Sequence, residues 1–295
     1  MSERRKRLSE TLKAYAFLAP SALFWLVFFF IPVIWLIQYS FYDFQFTTAS
    51  KFIGTGYYAR LFRDGVFQRA LLNTFKYAII QVPSVVLISF ILANLINQTV
   101  RGITLFRLIY YVPVVTSMVI VGTTWRWMYQ TDGLLNAMLK SMGLSGVAWL
   151  TNPRAALPSV AGVGVWKSAG YFMMLYFAGL QSIPNELFEA AVIDGANWFQ
   201  RIIHITIPQV KRFTVMIVLL AFIEALQVFS TVMVMTEGGP GGATDVVSFF
   251  VYRQAFQFLK FGYANAAAMI LLVVTALASA VYFYVVLGRG QSEDL

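Results

Sequence analysis

The sequence predicts an all-α polytopic membrane protein with six transmembrane helices, and three observations carry that prediction. Hydrophobic residues make up 59% of the 295 and charged residues 12%, with a mean hydropathy of +0.70. No ordinary soluble domain of this length has such a composition. Six apolar runs are each long enough to cross a hydrocarbon core of about 30 Å. Between the fourth and fifth runs the chain turns polar and helix-forming over a short stretch.

Residues 1–14 form a basic tail, with Arg4, Arg5, Lys6, Arg7 and Lys13, that feeds the first apolar run, 15–39. That run is about twice the length of a signal-peptide core and no small-x-small cleavage site follows it, so it reads as an uncleaved span. Further runs cover 71–96, 106–129, 157–183, 213–235 and 263–287, which gives a membrane domain over 15–288 and a short tail over 289–295. An even number of spans puts both termini on one side. The segments on that side, with the N-terminal cluster, Arg101, Arg107, Arg201, Lys211, Arg212 and Arg289, carry the higher density of basic residues, which makes it the cytoplasm. The outer segments 43–70 and 130–156 predict turns and short helices. Tyr57, Tyr58, Trp125, Trp127, Tyr129 and Trp149 fall near span ends and read as an interfacial belt, not as stacking platforms for a ligand. Pro20, Pro32, Pro83 and Pro113 lie inside spans, where each removes a backbone donor and kinks its helix.

The insert at 184–208 reads as helix, glycine bend, helix. Asn185 is placed to cap the first helix, with Glu186 and Glu189 near its positive end. Gly195 is predicted to close that helix in the left-handed conformation. Asn197 and Gln200 have the spacing of a capping box for the second, and Pro208 marks its end. Leu187, Phe188, Trp198, Phe199, Ile202 and Ile203 would then stand in water unless something covers them: a docking partner, or else the protein's own surface or the membrane interface.

Several chemistries lack their residues. There is no cysteine, and His204 is the sole histidine, so no His- or Cys-based metal site and no His-containing catalytic triad is expected within the chain. The nearest approach to a phosphate-cradling loop, Gly162 to Ser168, has Trp166 where glycine is needed. The net charge of +9 is scattered over loops and span ends without a stripe, which speaks for a bilayer and against nucleic acid.

Charge at mid-depth is the exception. With 1.5 Å of rise per residue, Lys167 lies about 15 Å into the fourth span and Glu224 about 16 Å into the fifth, near the midplane from opposite faces. Two readings stand: an ion pair that joins the helices, or groups that meet a substrate. Glu224, Gln227 and Thr231 are predicted to share one helical face, and Ser168, Tyr171 and Phe172 lie at similar depth on the fourth span. Rings beside amides and carboxylates suit a polyhydroxylated ligand, though an amino acid or a cation would also fit.

Glu189, Ala190, Ala191, Gly195, Ile205, Ile207 and Pro208 resemble the EAA motif of ABC-importer permease subunits, with Ile207 where that motif usually has Leu. Leu18 to Pro20, Ile31-Pro32, Asn73-Thr74, Phe106-Arg107, Val112-Pro113 and Thr236 to Pro240 extend the resemblance to the carbohydrate-uptake type, close to maltose and glycerol-phosphate permeases. The resemblance implies a type I ABC importer permease fold in a prokaryotic plasma membrane, with the EAA loop, including Asp194, as the cytoplasmic ATPase-coupling element. It implies a second homologous permease subunit, two ATPase subunits that bind ATP and Mg, and an extracytoplasmic solute-binding protein, with no cofactor in this chain. It also places Tyr171 and Gln227 on sugar-binding positions; Lys167 and Glu224 are less usual there, and with Thr231 they join the candidate set on depth and helical spacing. The rival readings are an ABC importer of an amino acid, phosphate or glycerol phosphate, and a proton-coupled secondary transporter working through Glu224.

Overall fold

The computed structural model describes residues 3–45, 48–97 and 102–290. Arg101, the tail 291–295 and the side chains of Arg4, Arg5, Lys6, Arg7 and Arg289, all used in the orientation argument, lie outside the described residues. In chain order the helices are α1 (Glu3–Trp25), α2 (Ile31–Tyr39), α3 (Gly56–Leu61), α4 (Gly65–Ile96), α5 (Ile103–Val115), α6 (Met118–Met128), α7 (Leu134–Ser141), α8 (Pro153–Gln181), α9 (Asn185–Ile193), α10 (Trp198–Arg201), α11 (Ile207–Gln209), α12 (Lys211–Leu226), α13 (Ser230–Met235), α14 (Val247–Tyr252) and α15 (Phe261–Gly290). Wider π-helical turns at Leu26–Phe30, Ile202–Thr206 and Arg253–Gln257 join some of them.

Three of these helical stretches are long and apolar enough to cross a bilayer: Glu10–Tyr39, Gly65–Ile96 and Phe261–Tyr284. Two bent pairs, Ile103–Val115 with Met118–Met128 and Trp198–Gln209 with Lys211–Leu226, raise the number to as many as five. Helix α8 has 29 residues, about 43 Å at the standard rise, but its glycines, serines and Lys167 dilute its apolar character.

The chain divides into two units. The first comprises residues 1–63 and 251–270. Its outer segment, expected to hold turns and short helices, has the short helix α3 and also an antiparallel hairpin of β1 (Tyr42–Gln45) and β2 (Thr48–Phe52). Tyr57 and Tyr58 are not free belt residues. Their hydroxyls donate to Asp43 at 2.6 Å and to Ser40 at 2.7 Å, tying α3 back to the strand and to the end of α2. Partial burial and the neighbouring carboxylate push the Tyr57 hydroxyl well above the ordinary tyrosine range, so it stays a donor at any physiological pH.

The second unit, 64–250 and 271–295, is built around α8, which packs on α4, α5, α12 and α13. Close approach is possible because glycine faces each of the first three neighbours. A Cβ on Gly164 would collide with the Tyr77 hydroxyl of α4, one on Gly170 with the Tyr110 carbonyl of α5, and one on Gly179 would sit 2.7 Å from the Phe213 ring of α12. Helices in lipid gain little from burying apolar surface against one another, so backbone proximity of this kind is what van der Waals packing requires.

Two predicted spans are not single helices. The third, 106–129, breaks at Thr116 and Ser117, whose backbones are extended, and α5 and α6 meet at 98°. Pro113 weakens the last turn of α5, but the sharp bend stands because its freed carbonyls find a donor, described below. The fifth, 213–235, stops at Leu226 and resumes as α13 at Ser230.

Three side chains hold the loops on this unit. Asn73 donates to the carbonyls of Gly242 and Asp245, both at 3.0 Å, and Thr74 accepts from the Val247 amide at 3.0 Å, so the Asn-Thr pair at the start of the second span fastens the Gly-rich segment 236–246. Asn136 is fully buried; its amide faces the carbonyls of Gln130, Thr131 and Val147 while its oxygen accepts from the Val147 amide at 2.8 Å and Trp149 Nε1 at 3.1 Å. Asn136→Ala would strand several of these groups, and we expect a loss of about 3 kcal/mol. The measurement is limited proteolysis of the purified chain, with faster nicking within 130–151 and little change at α12.

Candidate functional site

The insert after α8 contains the first candidate site. Helix α9 begins after Pro184, whose extended backbone takes the cap position; Asn185 is the first helical residue and makes no capping bond, so the predicted Asn185 cap is corrected. Glu186 falls in the first turn, whereas Glu189 lies a turn further on, beyond the strongest part of the dipole. The C-terminus closes as expected. Gly195 has φ +77°, its amide donates to the Val192 carbonyl at 3.0 Å, and the Ala196 amide reaches back to Ala191 at 2.8 Å. That pair of bonds is the Schellman closure, which needs a left-handed residue at the glycine position. Asp194 is the half-helical residue before it. The Asn197–Gln200 capping box then starts α10, with bonds of 2.9 and 2.8 Å.

The chain passes through the π-helical turn and Pro208 to bend by 70° into α12. Apolar side chains on this insert are left uncovered: Ile193 is 85% exposed, Phe199 63% and Trp198 58%, with Val192, Ile203 and Ile207 also open. Glu189 and Pro208 are also exposed.

The second candidate site is the mid-depth set. Lys167 and Glu224 do not pair: among the described residues no ion pair joins them. The Lys167 ammonium instead donates to three backbone carbonyls at the α5–α6 break, Pro113 at 3.0 Å, Val114 at 3.2 Å and Thr116 at 2.9 Å. A helix C-terminus presents unpaired carbonyls and partial negative charge, and a cation is the natural cap for both. Glu224 instead accepts from the Ser168 hydroxyl. The shared face of Glu224, Gln227 and Thr231 is also corrected, because α12 ends before Gln227 and the three do not continue one helix. Thr231 is 8% exposed, its hydroxyl turned to the Met118 sulfur at 3.8 Å, whereas Glu224 and Gln227 are exposed and Tyr171 is 42% exposed.

Two polar residues of α4 escaped the sequence reading. Tyr77 and Gln81 lie one turn apart, both buried, and both approach α8 at Gly164; the Gln81 side-chain oxygen has no hydrogen-bond partner among the described residues. Their spacing of four in an otherwise apolar run was the available signal.

A third feature is a cavity of about 780 Å³ between the end of α6, the segment 130–151 and the segment 235–240. Trp127, Tyr129 and Trp149 line it. Tyr129 packs on Trp149 with ring centroids 5.4 Å apart, and Trp125 packs on Tyr129 and Trp166 at 5.4 and 5.6 Å.

Over residues 53–291 the chain matches the family described as binding-protein-dependent transport system inner membrane component. It is 38% identical to the probable ABC transporter permease protein YurN of Bacillus subtilis, with 88% of this chain and 91% of that protein aligned. It is 32% identical to the trehalose/maltose transport system permease protein MalF of Thermococcus litoralis, with 96% of each covered. Among solved structures it is similar to a chain of the bacterial alginate ABC transporter in complex with alginate pentasaccharide-bound periplasmic protein, at 26% identity and a TM-score of 0.84 over 95% of both chains.

Proposed function

The chain belongs to the binding-protein-dependent transport inner membrane components, and from that premise we propose that it forms half of the translocation pathway of an ATP-driven importer for a sugar. Such a subunit is not itself an enzyme. The other half of the pathway is a second homologous permease subunit, two ATPase subunits bind ATP and Mg, and an extracytoplasmic binding protein delivers the cargo. The membrane domain over 15–288 crosses six times, with the bent pair α5–α6 as the third crossing and α12 with α13 as the fifth, and both termini are cytoplasmic. The observation that carries the reading is the uncovered apolar surface of the 184–208 insert, closed by Gly195 and the Asn197 capping box. An amphipathic element whose Ile193, Trp198 and Phe199 are left uncovered by the described residues fits helix-in-groove docking on an ATPase subunit. Glu189, Ala190, Ala191, Asp194, Gly195 and Pro208 set its shape and its polar rim.

A sugar is favoured as cargo by the exposed Tyr171 ring with the Glu224 carboxylate and Gln227 amide, a ring face for C–H groups and polar atoms for hydroxyls. Relatives named for trehalose/maltose and lactose transport point the same way. The test is ATP hydrolysis by the assembled complex with its binding protein, across a panel of saccharides, amino acids and glycerol phosphate. Stimulation by a saccharide is expected; stimulation confined to another class would replace the cargo. With the stimulating sugar in hand, Tyr171→Ala and Gln227→Ala are each expected to lose about 1–3 kcal/mol of transport affinity while assembly and basal hydrolysis persist. Unchanged uptake in both variants would remove these residues from the pathway.

A further inference from the structure

The cavity beside α6 is lined by neither Tyr171 nor Gln227 and is not used by the reading above. Its walls are fixed. Buried Asn136 holds 130–149 through both ends of its amide, and Arg126 ties α6 to the Val234 carbonyl of α13 at 3.2 Å. The opposite wall is braced by Thr244, which is fully buried and donates to the Gly239 carbonyl at 2.7 Å. Gly133 closes the turn after α6: a Cβ there would meet the Trp127 and Met128 carbonyls at 2.5 and 2.6 Å. A cavity bounded in this way keeps its shape without a ligand, and preorganised walls reduce the ordering cost of binding.

Its chemistry is mixed in a specific manner. Trp127 is 70% exposed and offers a ring face, with the Tyr129 and Trp149 pair beside it. Around the rings stand the Asp132 carboxylate, the Gln130 amide and the Thr151 hydroxyl, which can take up hydroxyl groups as donors or acceptors. The volume lies within the usual range of about 300–1,000 Å³ for small-molecule sites. An apolar ligand would leave those polar groups unpaired, and a compact ion would leave the rings uncovered. A pyranose ring has C–H faces for the one and hydroxyls for the other.

The geometry points to a second saccharide site in this cavity, at the end of the pathway that we place outside, where a sugar unit stacks on Trp127 before it reaches mid-membrane. This rests on the sugar-importer reading and extends it. The test measures binding of trehalose, lactose, diacetylchitobiose and maltotriose by saturation-transfer NMR, using the assembled permease and ATPase complex in nanodiscs without binding protein. It is run in the Gln227→Ala background, which weakens the mid-membrane site. Saturable binding of at least one saccharide is expected there, and adding Trp127→Ala should weaken it about fivefold, with Asp132→Asn lowering it as well. No saturable binding, or binding indifferent to both added substitutions, overturns the proposal. If Trp127→Ala instead abolishes only binding-protein-stimulated hydrolysis and leaves saccharide binding intact, the cavity is a docking socket and the proposal fails. The importer reading fails separately, if saccharides bind but none is transported.

Discussion

Lys167→Met should destabilise the permease by about 1–3 kcal/mol, since the ammonium serves three part-buried carbonyls at the α5–α6 break and leaving such acceptors without a donor carries a cost of that order. The loss should appear as reduced accumulation and a lower detergent melting point of the assembled complex. Glu224→Gln should be milder, because an amide can still accept from the Ser168 hydroxyl. The double variant should then keep most of the Lys167→Met loss, because the three carbonyls stay without their donor whichever group stands at position 224. Rescue of Lys167→Met by Glu224→Gln would mean that the two charges compensate one another in the membrane, and the carbonyl-cap account would be wrong. Lys167→Arg is a sharper probe. A longer planar fork cannot place one point charge among three converging carbonyls, so partial loss is expected despite retained charge.

Gly195→Val should leave insertion and basal folding intact and cut uptake about tenfold or more, the equivalent of at least about 1.4 kcal/mol of docking energy. Space does not forbid the new side chain, since nothing lies within 4 Å of a Cβ at this position. The backbone does. A φ of +77° is strained for any L-residue and worst for a β-branched one, so the Schellman closure should open and α9 should lose its angle to α10. Gly195→Asn supplies the control, because asparagine tolerates the left-handed region and should retain most uptake. Pull-down of the ATPase subunits should follow uptake in both variants. Normal transport by an accumulated Gly195→Val protein would remove the docking role from the insert.

What the sequence disclosed follows the range of the interactions involved. Gly195 and the Asn197–Gln200 box were legible because their bonds close within a few residues, and the letters alone specify them. Asn185 misled because Pro184, one position earlier, has an extended backbone that takes the cap site. The bend at Thr116 was visible only as a kink at Pro113; its size depends on an ammonium fifty residues away that periodicity cannot supply. The break after Leu226 has no proline or glycine to announce it, so Gln227 and Thr231 were carried along a helix that had ended. Trp127, Tyr129 and Trp149 were read only as belt residues; that they line a cavity depends on the segment 130–149, which Asn136 holds, and Asn136 has no distinctive context in the sequence.

The glycines of α8 also bear on how such a pathway could change over evolutionary time. Gly164, Gly170 and Gly179 touch neighbouring helices through backbone, while Tyr171, Met174 and Ala178 form an exposed stripe along the same rod. If that stripe faces the pathway proposed above, mutations in it alter what passes without disturbing how the rod is seated, because seating does not depend on those side chains. A duplicated gene would then explore new cargo by single substitutions at positions 171, 174 and 178. Substitution at Gly170 would instead disturb the seating itself, since its Cβ would meet the Tyr110 backbone carbonyl.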